Sequence, residues 1–236
     1  ALASVVVMPS ALRAAITSAE VNTLFGNLIY GMGLTPPICF AKGARVATQT
    51  GPRRVQDLRV GDYVLVRGGQ FCQVRWIGVR RCGADDLRHK PQLRPVKIRA
   101  GALGNGLPLR DLRVSRQHRL MLSPPGAHGV CGGSDVLVAA IHLVGRAGIE
   151  VDQRCDAVEY FHILLDRHHM LYAEGCLAES LLLGPEARRG LPYRSLGEIA
   201  RYVSAGLGQP TLPLPKGAAL RRVLRDFTPE SGAHLT

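Results

Sequence analysis

Residues 36–46 read Pro36-Pro37-Ile38-Cys39-Phe40-Ala41-Lys42-Gly43-Ala44-Arg45-Val46, and the interpretation of the whole chain starts from this stretch. The two prolines fix their own φ and favour an extended conformation for the residue before each of them. The peptide bond Ile38–Cys39 is therefore expected at the end of a stiff, extended segment. A thiol at this place can attack the carbonyl in front of it, but an isolated cysteine is more often a small, buried apolar residue. Local sequence alone favours the buried residue.

Length and composition describe an ordinary globular protein. The chain has 236 residues, enough for one large or two small domains that bury a core without disulfides or metal. Its net charge is +12, but the basic residues are spread along the chain and aromatic residues make up only 5%. A nucleic-acid partner is therefore not expected, whereas an acidic partner or a membrane surface is compatible with the charge. An arginine-rich solvated surface is the simpler interpretation.

The cysteines and the N-terminal residues give indications of the cellular compartment. Six cysteines are scattered without a CxxC pair: Cys39, Cys72, Cys82, Cys131, Cys155 and Cys176. Their spacing matches no zinc motif, so we expect no metal and no cofactor, and free thiols in a reducing compartment. Residues 1–8 lack the basic region of a signal peptide, which leaves secretion without a visible N-terminal signal as the other possibility. Residues 21–41 are uncharged but interrupted by Asn, Gly and Pro, so no transmembrane segment is predicted.

Short apolar-alternating segments separated by turn signals fill the middle of the chain. They predict strands over residues 45–48, 63–66, 72–79, 94–99, 112–114, 135–144, 148–151, 158–165 and 170–173, with loops over 83–93 and 123–133. This spacing indicates an all-β sandwich or barrel-like domain over 39–182. A flanking segment and linker, 1–38, precedes the domain, with a possible helix over 11–21. A partly helical tail, 183–236, follows it, with helices predicted over 195–203 and 218–227.

Several blocks of residues resemble one family. Cys39-Phe-x-x-Gly43-x-x-Val46, Gly51 and Val55-x-x-Leu58-x-x-Gly61-Asp62-x-Val64 are similar to the opening block of Hint domains, the self-processing modules shared by hedgehog proteins and inteins. The later blocks follow in the order of a bacterial branch of that family: Trp76-Ile77-Gly78, residues 94–104, Ser115-x-x-His118-Arg119, Asp166-Arg167-His168 and Ala173-Glu174-Gly175. The resemblance covers residues 39–182. It implies an all-β horseshoe or disk of short strands with pseudo-twofold symmetry.

The resemblance also implies a reaction, an N–S acyl shift at Ile38–Cys39. The Cys39 thiol attacks the Ile38 carbonyl, and the peptide bond becomes a thioester. The shift needs help for a thiol whose ordinary pKa is ~8.5, an acid for the leaving amide nitrogen, and donors for the developing oxyanion. It is a single-turnover, autocatalytic reaction whose substrate is the protein's own N-terminal segment, and it uses no cofactor.

Four polar residues receive roles from the same resemblance. Ser115-x-x-His118 falls on the family's Thr-x-x-His motif, so Ser115 would orient the scissile amide and His118 would protonate its nitrogen. His168 matches the histidine of a later block, with its neighbour His169 as the competing assignment. His162 lies near the position where relatives carry an Asp or Cys that assists proton transfer. A core histidine bonded to the backbone is an equally good interpretation of His162.

The end of the matching region departs from splicing inteins, which end in His-Asn followed by Cys, Ser or Thr. Here Glu179 and Ser180 occupy the His-Asn places, and Leu181 follows. No asparagine is there to cyclise, and no downstream nucleophile is there to accept the acyl group. We therefore predict N-terminal self-cleavage without splicing, in which the thioester passes to water or to an external thiol, amine or hydroxyl.

Two other classes of function fit these residues. A trans-acting Cys–His hydrolase would use Cys39 with His118 on an added peptide. A catalytically silent β interaction module would keep the scaffold, and Cys39 would change nothing. A metal site from His168, His169 and Cys176 is not expected, because adjacent side chains on a strand point to opposite faces.

Overall fold

The described part of the chain consists mainly of fourteen short strands. The structure is a computed structural model and describes residues 38–183, 193–200, 209–225 and 227. The strands are β1 (Phe40–Ala41), β2 (Arg45–Thr48), β3 (Gly51–Arg54), β4 (Tyr63–Leu65), β5 (Phe71–Gln73), β6 (Trp76–Cys82), β7 (Val96–Ile98), β8 (Leu112–Val114), β9 (Arg119–Leu122), β10 (Val136–Ala139), β11 (Ile149–Val151), β12 (Val158–Leu164), β13 (Met170–Ala173) and β14 (Cys176–Glu179). The α-helices are α1 (Ala84–His89), α2 (His128–Cys131), α3 (Tyr193–Ala200) and α4 (Gly217–Arg225). The 3₁₀ turns are Val55–Asp57, Pro91–Leu93, Pro125–Ala127 and Ala140–Leu143.

The strands form two antiparallel sheets. One sheet has the order β11-β7-β8-β1-β12-β6, and the other has the order β10-β9-β14-β13-β2-β4-β5, with β3 paired to β2. Alternation along the strands explains how the sheets bury one face: in β7, Val96 and Ile98 are fully buried, and Lys97 between them is partly exposed. Burial of one such side chain contributes ~1.5–3 kcal/mol relative to its exposure. The predicted all-β fold class is confirmed.

The predicted strand over 72–79 is in fact two strands that belong to different sheets. The chain changes partners at Val74 and Arg75: the Val74 N–H donates to the Asp62 carbonyl, and the Arg75 N–H donates to the Leu164 carbonyl. Strand β5 therefore pairs with β4, and β6 pairs with β12. A continuous alternating pattern carries no information about such a change of partner, because the alternation itself is not interrupted.

Three other segments also differ from their predictions. Residues 123–133, predicted as a loop, contain the turn Pro125–Ala127 and helix α2. Residues 83–93, predicted as a loop, form α1 and the turn Pro91–Leu93, because Leu87 and Leu93 are buried against the sheet. The predicted strand over 135–144 is strand only in β10, and Ala140–Leu143 is a 3₁₀ turn. That turn is held by the Ala140 N–H, which donates to the His118 carbonyl.

The described parts of the C-terminal segment pack on the strands. Helix α3 begins two residues before its prediction, and α4 begins one residue before its own. Val223 and Phe227 lie in the main core, and the Leu137 N–H donates to the Pro213 carbonyl. The predictions for residues 1–37, 184–192 and 201–208 lie outside the described residues. No helix in the described ranges is long and apolar enough to cross a membrane.

The register of β1 determines which side chains surround Cys39. This two-residue strand lies between β8 and β12, with Phe40 opposite Val114 on one side and Phe161 on the other. In antiparallel pairing a step back along one strand is a step forward along its partner. Cys39 is therefore level with Ser115 and with His162, and the Ser115 N–H donates to the Cys39 carbonyl at 2.9 Å.

Candidate active site

The amide group of the Ile38–Cys39 bond is bound by Ser115. The Cys39 N–H donates to Ser115 Oγ at 3.0 Å, and this contact is buried. Ser115 directly follows β8, so the strand pairing that binds the Cys39 carbonyl also delivers the hydroxyl to the Cys39 nitrogen. Ser115 thus contacts both backbone polar groups of Cys39: its hydroxyl accepts from the N–H of the Ile38–Cys39 amide, and its own N–H donates to the carbonyl that follows.

The carbonyl group of the same bond is bound by His162. His162 Nδ1 lies 2.8 Å from the Ile38 oxygen, and because a carbonyl only accepts, Nδ1 carries the proton and donates. Nε2 of the neutral ring then holds a lone pair, and it lies 3.5 Å from Cys39 Sγ. Burial lowers the pKa of the His162 imidazole from 6.5 to about 4, which keeps the ring neutral and in this tautomer near pH 7.

The Cys39 thiol is completely buried. Burial raises its pKa far above the ordinary value for a cysteine, while a hydrogen bond from Ser115 and the positive charge of Arg80 act in the opposite direction. The thiol is therefore protonated at rest, and it loses its proton only to a neighbouring acceptor. His162 Nε2 is such an acceptor.

His118 is a buried histidine whose ring nitrogens make no hydrogen bond to any residue that the structure describes. The ring packs edge-on against Phe40, with centroids 4.3 Å apart. Burial lowers the pKa of the imidazole to about 3, and the nearby Cys39 backbone acts in the opposite direction. An unsatisfied buried polar group typically costs ~1–3 kcal/mol, so His118 is held beside Cys39 at the expense of stability.

Trp76 and Arg80 belong to the site but were not predicted as site residues. Both lie on β6, on the same face as Gly78, which is directly opposite His162. The Trp76 indole stacks on the His162 ring with centroids 6.5 Å apart. It folds over Gly78, where any Cβ would overlap the indole. Trp76 lies in a recognised block that carried no site role, and Arg80 lies in none; the pairing of β6 with β12 brings both to the site.

His168 lies in a separate buried network. Its Nδ1 accepts the Thr211 N–H at 3.2 Å, so its Nε2 donates to Glu179 Oε2, also at 3.2 Å. Glu179 additionally accepts the backbone N–H of Arg119 at 2.8 Å and its guanidinium at 3.1 Å. The structure thus brings together four of the five predicted residues, Cys39, Ser115, His118 and His162. Among the described residues, hydrogen bonds connect His168 to them through Glu179 and Arg119, the residue that follows His118.

This arrangement can activate a thiol against the peptide bond that precedes it. The carbonyl and the thiol share His162 of β12 as a buried partner, and the amide N–H has Ser115, which follows β8. Cys39 is not part of the set of three convergent metal-ligating side chains found in the described residues, Cys72, Asp166 and His169.

Comparisons with known proteins found one family model and several solved structures that are similar to this chain. A family model described as Hint domain matches residues 38–185. Solved structures with similar backbones include a crystal structure of the MchDnaB-1 intein (16% identity, 60% of this chain and 98% of that chain, TM-score 0.40) and one of the gp41-1 intein (16%, 59% and 96%, TM-score 0.37). A solution structure of a bacterial intein-like domain from Clostridium thermocellum is similar at 14% identity over 59% of this chain and 96% of its own, with a TM-score of 0.39. No curated protein matches the chain.

The family match covers more than half of the 236 residues and begins at the residue before the buried thiol. The chain therefore belongs to the Hint domain family.

Proposed function

We propose that this protein cleaves its own chain by an N–S acyl shift at Ile38–Cys39, in a single turnover and without splicing. In this proposal residues 39–182 carry the reaction, and residues 1–38 form the segment that is released. The observation that carries the proposal is the position of His162, which contacts both the carbonyl to be attacked and the thiol that attacks it. Hint domains as a class fit a self-processing role, as the family relation to inteins indicates.

The first step uses both nitrogens of His162. Cys39 Sγ bonds to the Ile38 carbonyl carbon while its proton passes to Nε2, and the Nδ1–H bond to the carbonyl oxygen strengthens as negative charge develops there. The thiol has a raised pKa and the imidazole a lowered one. Transfer of the proton from Cys39 Sγ to His162 before the sulfur attacks the carbonyl is therefore strongly unfavourable. Deprotonation and attack are therefore expected to be concerted.

The second step breaks the bond between the Ile38 carbonyl carbon and the Cys39 nitrogen. The nitrogen takes up one proton as it leaves, and His162 gives up the proton that it took from the thiol, so both imidazoles end neutral and the charges balance. We assign the delivery to His118, which lies beside the Cys39 backbone and is neutral at rest. Its two ring nitrogens, both available among the described residues, accept this proton on one side and donate a proton to the Cys39 nitrogen on the other. Ser115 Oγ holds the N–H of the same nitrogen and so fixes the direction from which the proton arrives.

The thioester is then expected to pass to water or to an external nucleophile. Glu179, at the place of the intein histidine, is fully buried and is used by Arg119 and His168. Ser180 Oγ accepts the His169 N–H at 2.9 Å, and the next residue is the buried Leu181. Hydrolysis gives an Ile38 carboxylate and a free Cys39 thiol. Trans-acting hydrolysis is disfavoured, because a thiol with no exposed surface is closed to an added peptide.

The test is the intact mass of the freshly purified full chain over time, with and without hydroxylamine or a small thiol. We expect fragments of 38 and 198 residues, whose formation the nucleophile accelerates. Cys39→Ala should abolish the cleavage, because the atom that forms the thioester is gone. No product that joins residues 1–38 to the segment after Ser180 should appear.

Cys176→Ala is the matched control, since Cys176 is also a buried free cysteine but lies in β14 of the other sheet. It should cleave at the wild-type rate. Cleavage of Cys39→Ala at the wild-type rate would overturn the proposal, and a folded wild-type chain that stays intact in hydroxylamine would favour the silent interaction module.

A further inference from the structure

Three side chains outside the acyl-shift site converge on one point. Cys72 belongs to β5, and Asp166 and His169 belong to the turn between β12 and β13. One possible ligand atom from each lies within 4.8 Å of the other two. Cys72 Sγ is 3.6 Å from His169 Nε2, and Asp166 Oδ1 is 3.1 Å from the same nitrogen.

The fold brings these residues together by backbone pairing. Val66, just after β4, bridges to Leu171 of β13, and the Arg67 N–H donates to the Met170 carbonyl. The β4–β5 hairpin is thereby fixed beside the turn that carries His169. The backbone of His169 is held on both sides by Ser180, through its N–H at 2.9 Å and its carbonyl at 2.8 Å. The imidazole is therefore presented from a rigid position.

No single protonation state of His169 Nε2 fits all of its contacts. Arg167 Nε donates to this nitrogen at 3.3 Å, which requires a lone pair on Nε2. The Asp166 carboxylate accepts at the same nitrogen, which requires a proton on Nε2. A divalent cation in place of the guanidinium resolves the conflict, because it uses the lone pair of the imidazole and the negative charges of a carboxylate and a thiolate.

The spacing suits a tetrahedral zinc site. Zn–S bonds of ~2.3 Å and Zn–N bonds of ~2.0 Å at tetrahedral angles separate sulfur and nitrogen by about 3.5 Å, and nitrogen and oxygen ligands by about 3.3 Å. The observed separations, 3.6 and 3.1 Å, lie close to both values. We propose that Cys72, Asp166 and His169 bind one Zn²⁺ ion.

Zn²⁺ binding is a ligand exchange in which the bonds and charges balance. The Cys72 thiol releases its proton to solvent, three Zn–ligand bonds form, and water occupies the fourth position on the side where Asp166 is exposed. The exposed Arg167 guanidinium leaves Nε2 and turns toward solvent. The ion then connects the β4–β5 hairpin to the turn that precedes β13.

The experiment uses the full chain with Cys39→Ala, which keeps the chain intact and removes the other thiol–imidazole pair from competition. Zn²⁺ is titrated by calorimetry after chelation, and Co²⁺ by absorption. We expect one ion per chain and a thiolate-to-Co²⁺ charge-transfer band. Cys72→Ser should abolish the band. Cys72→Ser, His169→Gln and Asp166→Asn should each weaken Zn²⁺ binding by more than ~100-fold, since even outer-shell partners are worth 10–100-fold.

Cys155→Ser and Asp156→Asn are the matched controls and should bind Zn²⁺ like the parent chain. Arg167→Ala keeps all three proposed ligands, so its result is not affected if a ligand variant fails to fold. It should tighten Zn²⁺ binding, because it removes the guanidinium that competes for Nε2. Absence of stoichiometric Zn²⁺ binding, a full charge-transfer band in Cys72→Ser, or unchanged or weaker binding in Arg167→Ala would each overturn the proposal.

Discussion

At the scale of single residues, two buried histidines next to one peptide bond have different surroundings. His162 uses Nδ1 on the Ile38 carbonyl and offers Nε2 to the thiol, so its ring is oriented before the reaction starts. His118 has no hydrogen bond at its ring nitrogens to any described residue. In the proposed mechanism it gains a partner when the Cys39 nitrogen becomes pyramidal and basic. On this difference we base the proposed division of the proton transfers between the two rings.

His118→Ala should leave the precursor uncleaved even in excess thiol, because without an acid for the leaving nitrogen no thioester accumulates to be trapped. General acid assistance is typically worth ~100- to 10,000-fold, so the loss of rate should be large. The measurement is the half-life of the precursor by mass spectrometry, with circular dichroism to establish folding. If thiol restores normal cleavage of His118→Ala, the acid must be another group, and His162 is the next candidate.

His168→Ala should give a smaller loss of rate, part of which added thiol restores. His168 contacts Glu179, which holds the backbone of Arg119 next to His118, so we propose that His168 is a positioning residue. His168→Gln should recover more of the rate than His168→Ala, because an amide can still donate to Glu179. A loss as large as that of His118→Ala would place His168 in the chemistry itself.

The family resemblance predicted Cys39, Ser115 and His118 from recognisable blocks, and it predicted His162 from its place near a polar residue of the relatives. Trp76 belongs to a block that carried no site role, and Arg80 belongs to none. They reach the site because β6 pairs with β12 in the register that sets Gly78 opposite His162. For His168 the block was recognised, but its hydrogen-bond partners were not predicted. These partners, Glu179 and Thr211, lie 11 and 43 residues away along the chain, and tertiary packing brings them to the ring.

At the scale of elements, β6 shows how a strand supports the site without contributing chemistry. Trp76 lies across Gly78, stacks on His162 and donates from its indole nitrogen to Glu198 of α3 at 2.9 Å. A Cβ at position 78 would lie 2.6 Å from indole Cζ3 and nearer still to another ring atom. The glycine therefore allows the indole to cover the histidine.

Gly78→Ala should displace the indole, lower the free energy of unfolding by ~1–3 kcal/mol and slow the cleavage. Trp76 is the one tryptophan of the chain, so its fluorescence reports the displacement directly, as a shift to longer wavelength. Gly129→Ala in α2 is the control, because its Cβ meets nothing within 4 Å, and it should leave emission and cleavage unchanged. Unchanged emission in Gly78→Ala would mean that the indole does not lie over position 78.

The strands also show what the pattern of apolar and polar residues can and cannot predict. Alternation predicted β2 to the residue, and the bounds of β13 also agree with the prediction; each strand stays in one sheet throughout. Segment 72–79 was misassigned because its hydrogen-bond partners change at Val74 and Arg75 while its alternation continues. Strand β14 was not predicted as a strand, since all four of its residues are buried and show no alternation.

At the scale of the whole molecule, two buried neutral histidines make stability depend on pH. The folded pKa values, about 3 for His118 and about 4 for His162, lie below the ordinary 6.5. Above pH 6.5 both rings are neutral in the folded and the unfolded chain, so they add no pH dependence. As the pH falls below 6.5, the unfolded chain binds protons that the folded chain excludes, and stability is lost until the folded pKa values are reached.

The free energy of unfolding should therefore fall between pH 7.5 and pH 5.0 by about 2 kcal/mol for each of the two histidines, at ~1.4 kcal/mol per pH unit below 6.5. Urea unfolding at the two pH values measures the difference, in the Cys39→Ala chain so that cleavage does not interfere.

Other ionisable groups also contribute to the decrease in the free energy of unfolding. The decrease is therefore compared between the parent chain and variants of it. The double variant His118→Gln, His162→Gln should lose much less on acidification than the parent. The control pair His128→Gln, His142→Gln replaces exposed rings and should lose as much as the parent does. An equal loss in the parent and in the buried double variant would show that these two histidines do not control acid stability, and it would contradict the neutral state on which the proposed proton transfers depend.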